Sequence, residues 1–139
     1  MRKDERPKGP SVGRLKRRAD FLRVAAARRK WAAPGLILQV SPQPETAPDP
    51  SGAETIHGAE TIRVGFTASR KVGNAVKRNR ARRRLKALAA EMIASGANPG
   101  LDLVLIARPA TVDRPFDALR NDLAQSLQRT KAKRKRDVH

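Results

Sequence analysis

Between residues 70 and 86, nine of seventeen residues are cationic (Arg70, Lys71, Lys77, Arg78, Arg80, Arg82, Arg83, Arg84 and Lys86) and none is acidic. A run of like charge at that density repels itself unless an anion compensates it. The run is nonetheless ordered. Ala81, Leu85, Leu88 and Met92 recur at i, i+4, i+7 and i+11, within about 60° of a helix that turns ~100° per residue. The segment therefore predicts a helix with one narrow apolar stripe pressed on a core and cations around the rest of its circumference. Arg can pair with phosphate through two N–H groups where Lys acts as a point charge, so such a face fits a polyanion. A face that only solubilises would mix signs.

The rest of the chain agrees. Its 139 residues suit one domain, and 31 Lys and Arg against 13 Asp and Glu give a net charge of +18. No apolar stretch approaches the roughly 20 residues that span a bilayer. The first ten residues are charged and lack the apolar region of a secretory signal. A cytoplasmic protein without a membrane partner is expected, and zero cysteines exclude disulfide scaffolds, zinc ribbons and thiol chemistry.

Residues 1–13, basic and rich in Pro and Gly, read as a mobile arm. A first helix is expected over residues 14–29, with Leu15, Ala19, Leu22 and Ala26 on one face and Arg17, Phe21, Val24 and Arg28 on another. Residues 35–41 predict a strand, Leu36, Leu38 and Val40 on one side and Ile37 and Gln39 on the other. Residues 41–60 read as an inserted loop. They are rich in Pro, contain four acids, lie in a span without Lys or Arg, and include the near-duplication Gly52-Ala-Glu-Thr-Ile56 and Gly58-Ala-Glu-Thr-Ile62. A second strand over residues 61–69 sets Ile62, Val64 and Phe66 against Arg63, Gly65, Thr67 and Ser69.

Asn74 is the expected N-cap of the basic helix, which should end near Ser95 before Gly96, Asn98, Pro99 and Gly100. Residues 101–108, apolar on nearly both parities, predict an inner strand. Asp113 and Pro115 open a last helix with Phe116, Leu119, Leu123 and Leu127 on one face, followed by a basic tail over residues 131–139.

The ordered stretch Arg63-Val-Gly-Phe-Thr-Ala-Ser-Arg-Lys-Val-Gly-Asn-Ala-Val-Lys-Arg-Asn-Arg-Ala-Arg-Arg-Arg-Leu85 closely resembles the signature of bacterial ribonuclease P proteins. Arg18-Ala-Asp-Phe21 and Leu105-Ile-Ala-Arg-Pro109 extend the resemblance more loosely over residues 14–130. It implies a single α+β domain of order α-β-β-β-α-β-α with a left-handed crossover through the basic helix. Periodicity places three of those four strands, and the remaining one involves residues near Trp31 or near Glu54. The resemblance also implies a protein subunit that assists a catalytic RNA, in an expected 1:1 complex, in removing the 5′ leader of precursor tRNA.

On this sequence the family's docking surface for the catalytic RNA maps to Arg70, Lys71, Asn74, Lys77, Arg78, Asn79, Arg80, Arg83 and Lys86. The family's leader cleft, between first helix and sheet, maps by parity to Arg17, Phe21, Ile37, Gln39, Arg63, Thr67 and Ser69. Single strands are usually held by aromatic stacking above a cationic groove. Here Ala25 and Gln39 stand where family members often carry rings, so leader binding should lean on Phe21, hydrogen bonds and charge. Phe21 has an ordinary role too, as a core residue, and Thr67 and Ser69 as solvent-facing strand residues. Trp31 sits beside a helix end, where packing against the sheet is the expected role and stacking on a base the alternative.

Nuclease chemistry in a polypeptide needs clustered metal-binding carboxylates or a positioned acid–base pair. The acids here are scattered, Asp102 alone on a strand, and His57 and His139 lie in the acidic loop and at the terminus. No catalytic residue, metal site or bound cofactor is expected in the protein, and Mg²⁺ should belong to the RNA partner. A structural protein of the ribosome shares the charge and size but not the residue 63–85 signature. An architectural DNA-binding protein would show groove-reading helices or wedges that are not found, so DNA is not an expected partner.

Overall fold

Strict alternation along two segments creates a sheet with two unlike faces. The computed structural model describes residues 11–44 and 61–133. Its elements, in chain order, are β1 (Ser11–Arg14), α1 (Arg18–Ala26), β2 (Arg29–Ala32), β3 (Leu36–Pro42), β4 (Thr61–Thr67), α2 (Ala75–Gly96), β5 (Leu101–Ala107), a 3₁₀ turn (Pro109–Val112) and α3 (Phe116–Arg129). The five strands lie in the order β1-β4-β5-β3-β2. β4 pairs in parallel with both β1 and β5, whereas β3 pairs antiparallel with β5 and β2.

One face carries Leu36, Leu38, Val40, Ile62, Val64, Leu103 and Leu105, which pack under α2 and α3 as the main core. β5 lies in the middle of the sheet and, Asp102 on the α1 side apart, is apolar on both faces, as its composition predicts. The other face supports a small second cluster of Leu15, Val24 and Val104, flanked by Phe21 and Ile106, where α1 lies on the sheet. The order is thus that of the expected α+β domain with one strand added at the front. Among the described residues no helix is long and apolar enough to cross a membrane.

Three local expectations change. Ser11, Val12 and Gly13, read as part of a mobile arm, are the edge strand β1 in register with Thr61, Ile62 and Arg63. Because the Leu15 N–H still donates to the Val64 carbonyl at 3.0 Å, the chain stays extended and α1 starts four residues later than residue 14. That delay also moves its packing face. Val24 is fully buried and Phe21 half-buried, while Leu22 is 54% exposed and Ala19 and Ala26 face solvent. The unassigned strand is β2, at Trp31. The alternative at Glu54, the near-duplication, residues 1–10 and the tail beyond residue 133 lie outside the described residues.

The long helices follow the sequence closely. Asn74 Oδ1 accepts the Lys77 N–H at 3.0 Å, and Gly73 ahead of it has φ +144°, a conformation side chains rarely adopt. Ala81, Leu85 and Leu88 of the stripe are fully buried, with Ile93 completing it and Met92 half-buried at its edge. Leu119, Leu123 and Leu127 bury the predicted face of α3.

Candidate nucleic-acid interface

Register turns the α1 side of the sheet into three rows of neighbours. Thr67, Ile106, Ile37 and Ala32 form the first, Gly65, Val104, Gln39 and Lys30 the second, and Gly13, Arg63, Asp102 and Ser41 the third. α1 covers the second and third rows. Phe21 lies on Gly65, where an added Cβ would stand 2.5 Å from the ring, so the glycine is what lets the helix come so close. Thr67, Ile37 and Gln39 are half-buried on the floor, and Ser69 and Arg17 are exposed at the rim. Arg17 is the N-cap of α1, and its carbonyl accepts the Asp20 N–H at 3.0 Å. The sequence-assigned cleft residues do come together around one helix–sheet junction.

Arg63 is not a free cation there. Its Nε and Nη2 donate to the two carboxylate oxygens of fully buried Asp102 at 2.9 and 2.7 Å. That paired geometry raises the guanidinium's pKa further above its ordinary value. Arg23 from α1 pairs with the same Asp102 carboxylate and with Asp20 at 3.2 Å, and donates to Ser41 Oγ at 3.2 Å and the Pro42 carbonyl at 3.0 Å. Two carboxylates and two guanidiniums thus tie α1 to β3, β4 and β5 and close one end of the cleft. Periodicity gives no hint of Arg23 and Asp102 as partners, because their meeting depends on strand register and helix placement.

The basic helix divides its cations between structure and solvent. Arg84 donates to the carbonyls of Thr111 at 2.7 Å, Val112 at 3.0 Å and Arg114 at 2.6 Å, fastening α2 to the 3₁₀ turn. Arg80 Nε donates to the Val112 carbonyl at 3.1 Å, and Arg78 to that of Gly73 at 2.9 Å. Asn79 accepts from Arg82 at 2.6 Å. Arg70, Lys71, Lys77, Arg83 and Lys86 are exposed, with Asn74 at the helix start. A row of guanidinium and ammonium groups on a rigid helix is geometry suited to a phosphate backbone, which attracts protein largely through charge. Among the described residues no three of His, Cys, Asp and Glu cluster to hold a metal ion.

An α+β domain with a cation-coated helix on one side of its sheet and a partly open helix–sheet cleft on the other defines a basic RNA-binding protein. The chain belongs to the ribonuclease P protein family, whose model, described as Ribonuclease P, matches residues 10–131. It is 53% identical over 124 residues to the ribonuclease P protein component of Paramagnetospirillum magneticum, covering 89% of this chain and 86% of that one. The corresponding protein of Ruegeria pomeroyi is 44% identical over 119 residues, covering 85% and 86%. In fold the chain resembles the Staphylococcus aureus RNase P protein (TM-score 0.63, 24% identity, 86% and 95% covered). It also resembles that of Thermotoga maritima (TM-score 0.60, 20% identity, 81% and 92% covered).

Proposed function

We propose that this chain, as the RNA-binding subunit of ribonuclease P, docks on the catalytic RNA through α2 and the turn before it, and holds the single-stranded 5′ leader of precursor tRNA in the α1–sheet cleft. Family membership makes it a protein component of an endoribonuclease with an RNA partner and a role in tRNA 5′ processing. The observation that carries the finer reading is the separation of two surfaces. The exposed cations Arg70, Lys71, Lys77, Arg83 and Lys86 belong to α2 and its entry, whereas Phe21, Ile37, Gln39 and Thr67 line the opposite face of the sheet.

Cleavage belongs to the RNA, in a 1:1 complex, with Mg²⁺ held by RNA phosphates. The cleft carboxylates support this division. Asp20 and Asp102 are both held by guanidiniums of Arg23 and Arg63 and so are poor candidates for a metal ligand or general base. The protein's contribution is differential binding: an enzyme that holds substrate more tightly than product through the leader is not slowed by the product it releases. Sequencing the RNA that co-purifies with the chain in mild salt tests the assignment. One abundant structured RNA together with leader-bearing tRNA precursors is expected. Ribosomal RNA alone would contradict it.

A further inference from the structure

Among the described residues two non-glycine residues have left-handed backbone, Arg28 (φ 62°) and Lys131 (φ 63°), and they stand at one corner of the molecule. Arg28 follows the C-cap of α1 and Lys131 that of α3, positions where glycine is the usual occupant. Arg29 joins the two helix ends, donating from Nε to the Thr130 carbonyl at 2.6 Å and from Nη2 to the Lys131 carbonyl at 3.0 Å. Beside this junction, on the edge strand β2, stands Trp31, the only tryptophan in the chain. It is 36% exposed, and the Arg129 guanidinium lies 5.1 Å from its ring centre.

The surroundings are cationic throughout. Arg28, Arg29, Arg129 and Lys131 stand at this corner, and no acid occurs between Asp20 and Glu45 or between Asp122 and Asp137. The two helix C-termini contribute only about half a negative charge each, so a positive surplus remains. Register separates this corner from the cleft while placing the two in line. Arg29 and Trp31 oppose Val40 and Leu38 on the α3 face, whereas Ala32 and Lys30 oppose Ile37 and Gln39 on the cleft face. The open row Thr67, Ile106, Ile37 and Ala32 therefore ends one residue from Trp31.

We propose that Trp31 is a stacking platform for one unpaired base of the 5′ leader, upstream of the nucleotides over the cleft floor, with the flanking cations taking adjacent phosphates. The inference rests on the reading that the leader occupies the cleft. Four strands at ~4.8 Å spacing make that floor roughly 15 Å wide, so a leader long enough to cross it leaves over the β2 edge and meets the ring. A leader of one or two nucleotides does not. An aromatic face flanked by cations is how proteins hold single strands without reading sequence.

Because Trp31 is the sole tryptophan, its fluorescence in the assembled protein–RNA enzyme reports this contact directly. Precursor tRNA with a long leader should quench the ring and shield it from acrylamide, while mature tRNA and a leader of one or two nucleotides leave it unchanged. Trp31→Leu, which still covers α3 but cannot stack, should lower long-leader affinity by about fivefold or more, the weaker end of one base–aromatic stack. Short-leader and mature tRNA should bind as before. Quenching complete on assembly with the catalytic RNA alone would assign the ring to that RNA and overturn the proposal. A ring unaffected by any RNA would leave it as cover for α3. If long leaders still bind selectively while Trp31 stays silent, the cleft reading stands and this inference fails. If the unaltered protein shows no leader selectivity, both fail. The fluorescence arm needs no variant, so it holds whether or not Trp31→Leu folds.

Discussion

The ring of Phe21 rests on the bare backbone of Gly65, close enough that a β-carbon there would stand 2.5 Å from Phe21 Cε1 and 2.6 Å from Cζ. Gly65→Ala must therefore push α1 off the sheet or turn Phe21 out of the cleft. Overpacking of this kind costs about 1–3 kcal/mol, readable as a lower urea midpoint with unchanged slope. Selective affinity for leader-bearing tRNA should fall with it, and affinity for the catalytic RNA should not.

Asp102 is fully buried between Arg63 and Arg23. Removing one member of a buried ion pair leaves charge uncompensated and typically costs about 3–5 kcal/mol. Asp102→Asn should show a loss of that order in chemical unfolding. A change below about 1 kcal/mol, the scale of exposed pairs, would mean that the network does not fasten α1.

How far the sequence foretold these features depends on the length of the signal. The α2 stripe, the Asn74 cap, the α3 face and the strand parities were all legible, because each repeats over several turns or residues of one element. β1 and β2 span four residues each, too few for a period to show, and both are fixed by pairing with strands distant in sequence. Leu15 read as helical because its spacing to Ala19 and Leu22 fits a helix, yet its hydrogen bond to Val64 keeps it extended. In the candidate site, the sheet face that each strand residue occupies was legible. The division of labour among arginines was not, since Arg83 and Arg84 look alike until the 3₁₀ turn brings three carbonyls to Arg84.

That division gives a paired prediction. Arg84→Ala strands carbonyls that a charged donor now satisfies, and should destabilise the fold by about 1.5–3 kcal/mol. Arg83→Ala and Lys86→Ala, at exposed positions, should change stability by no more than about 0.5 kcal/mol. Each should instead flatten the log–log salt dependence of catalytic-RNA binding by roughly 0.7–0.9 for every phosphate that the variant leaves unneutralised. Isothermal binding across a salt series, beside thermal melts, separates the two effects.

Glu91 joins α2 to α3 through Arg120, with Nε–Oε2 at 2.5 Å. The hydrogen bond from Arg120 holds the Glu91 carboxyl below its ordinary value of 4.5. A lowered folded-state value means that the pair stabilises at pH above 4.5 and that this support disappears as pH falls through the lowered value. The pair is exposed, so the effect is small. Glu91→Gln should leave melting unchanged in strong acid and lower it slightly near neutrality.

In the proposed division of labour, the cleft grips the leader while the RNA cuts. Equilibrium binding of the assembled enzyme to precursor and mature tRNA, with and without the protein, tests it most directly. The protein should tighten binding of leader-bearing tRNA and leave mature tRNA nearly unaffected, and Phe21→Ala with Thr67→Val should reduce the difference while sparing affinity for the catalytic RNA. Equal enhancement of both substrates, or cleavage of precursor tRNA by protein rigorously freed of RNA, would contradict the account.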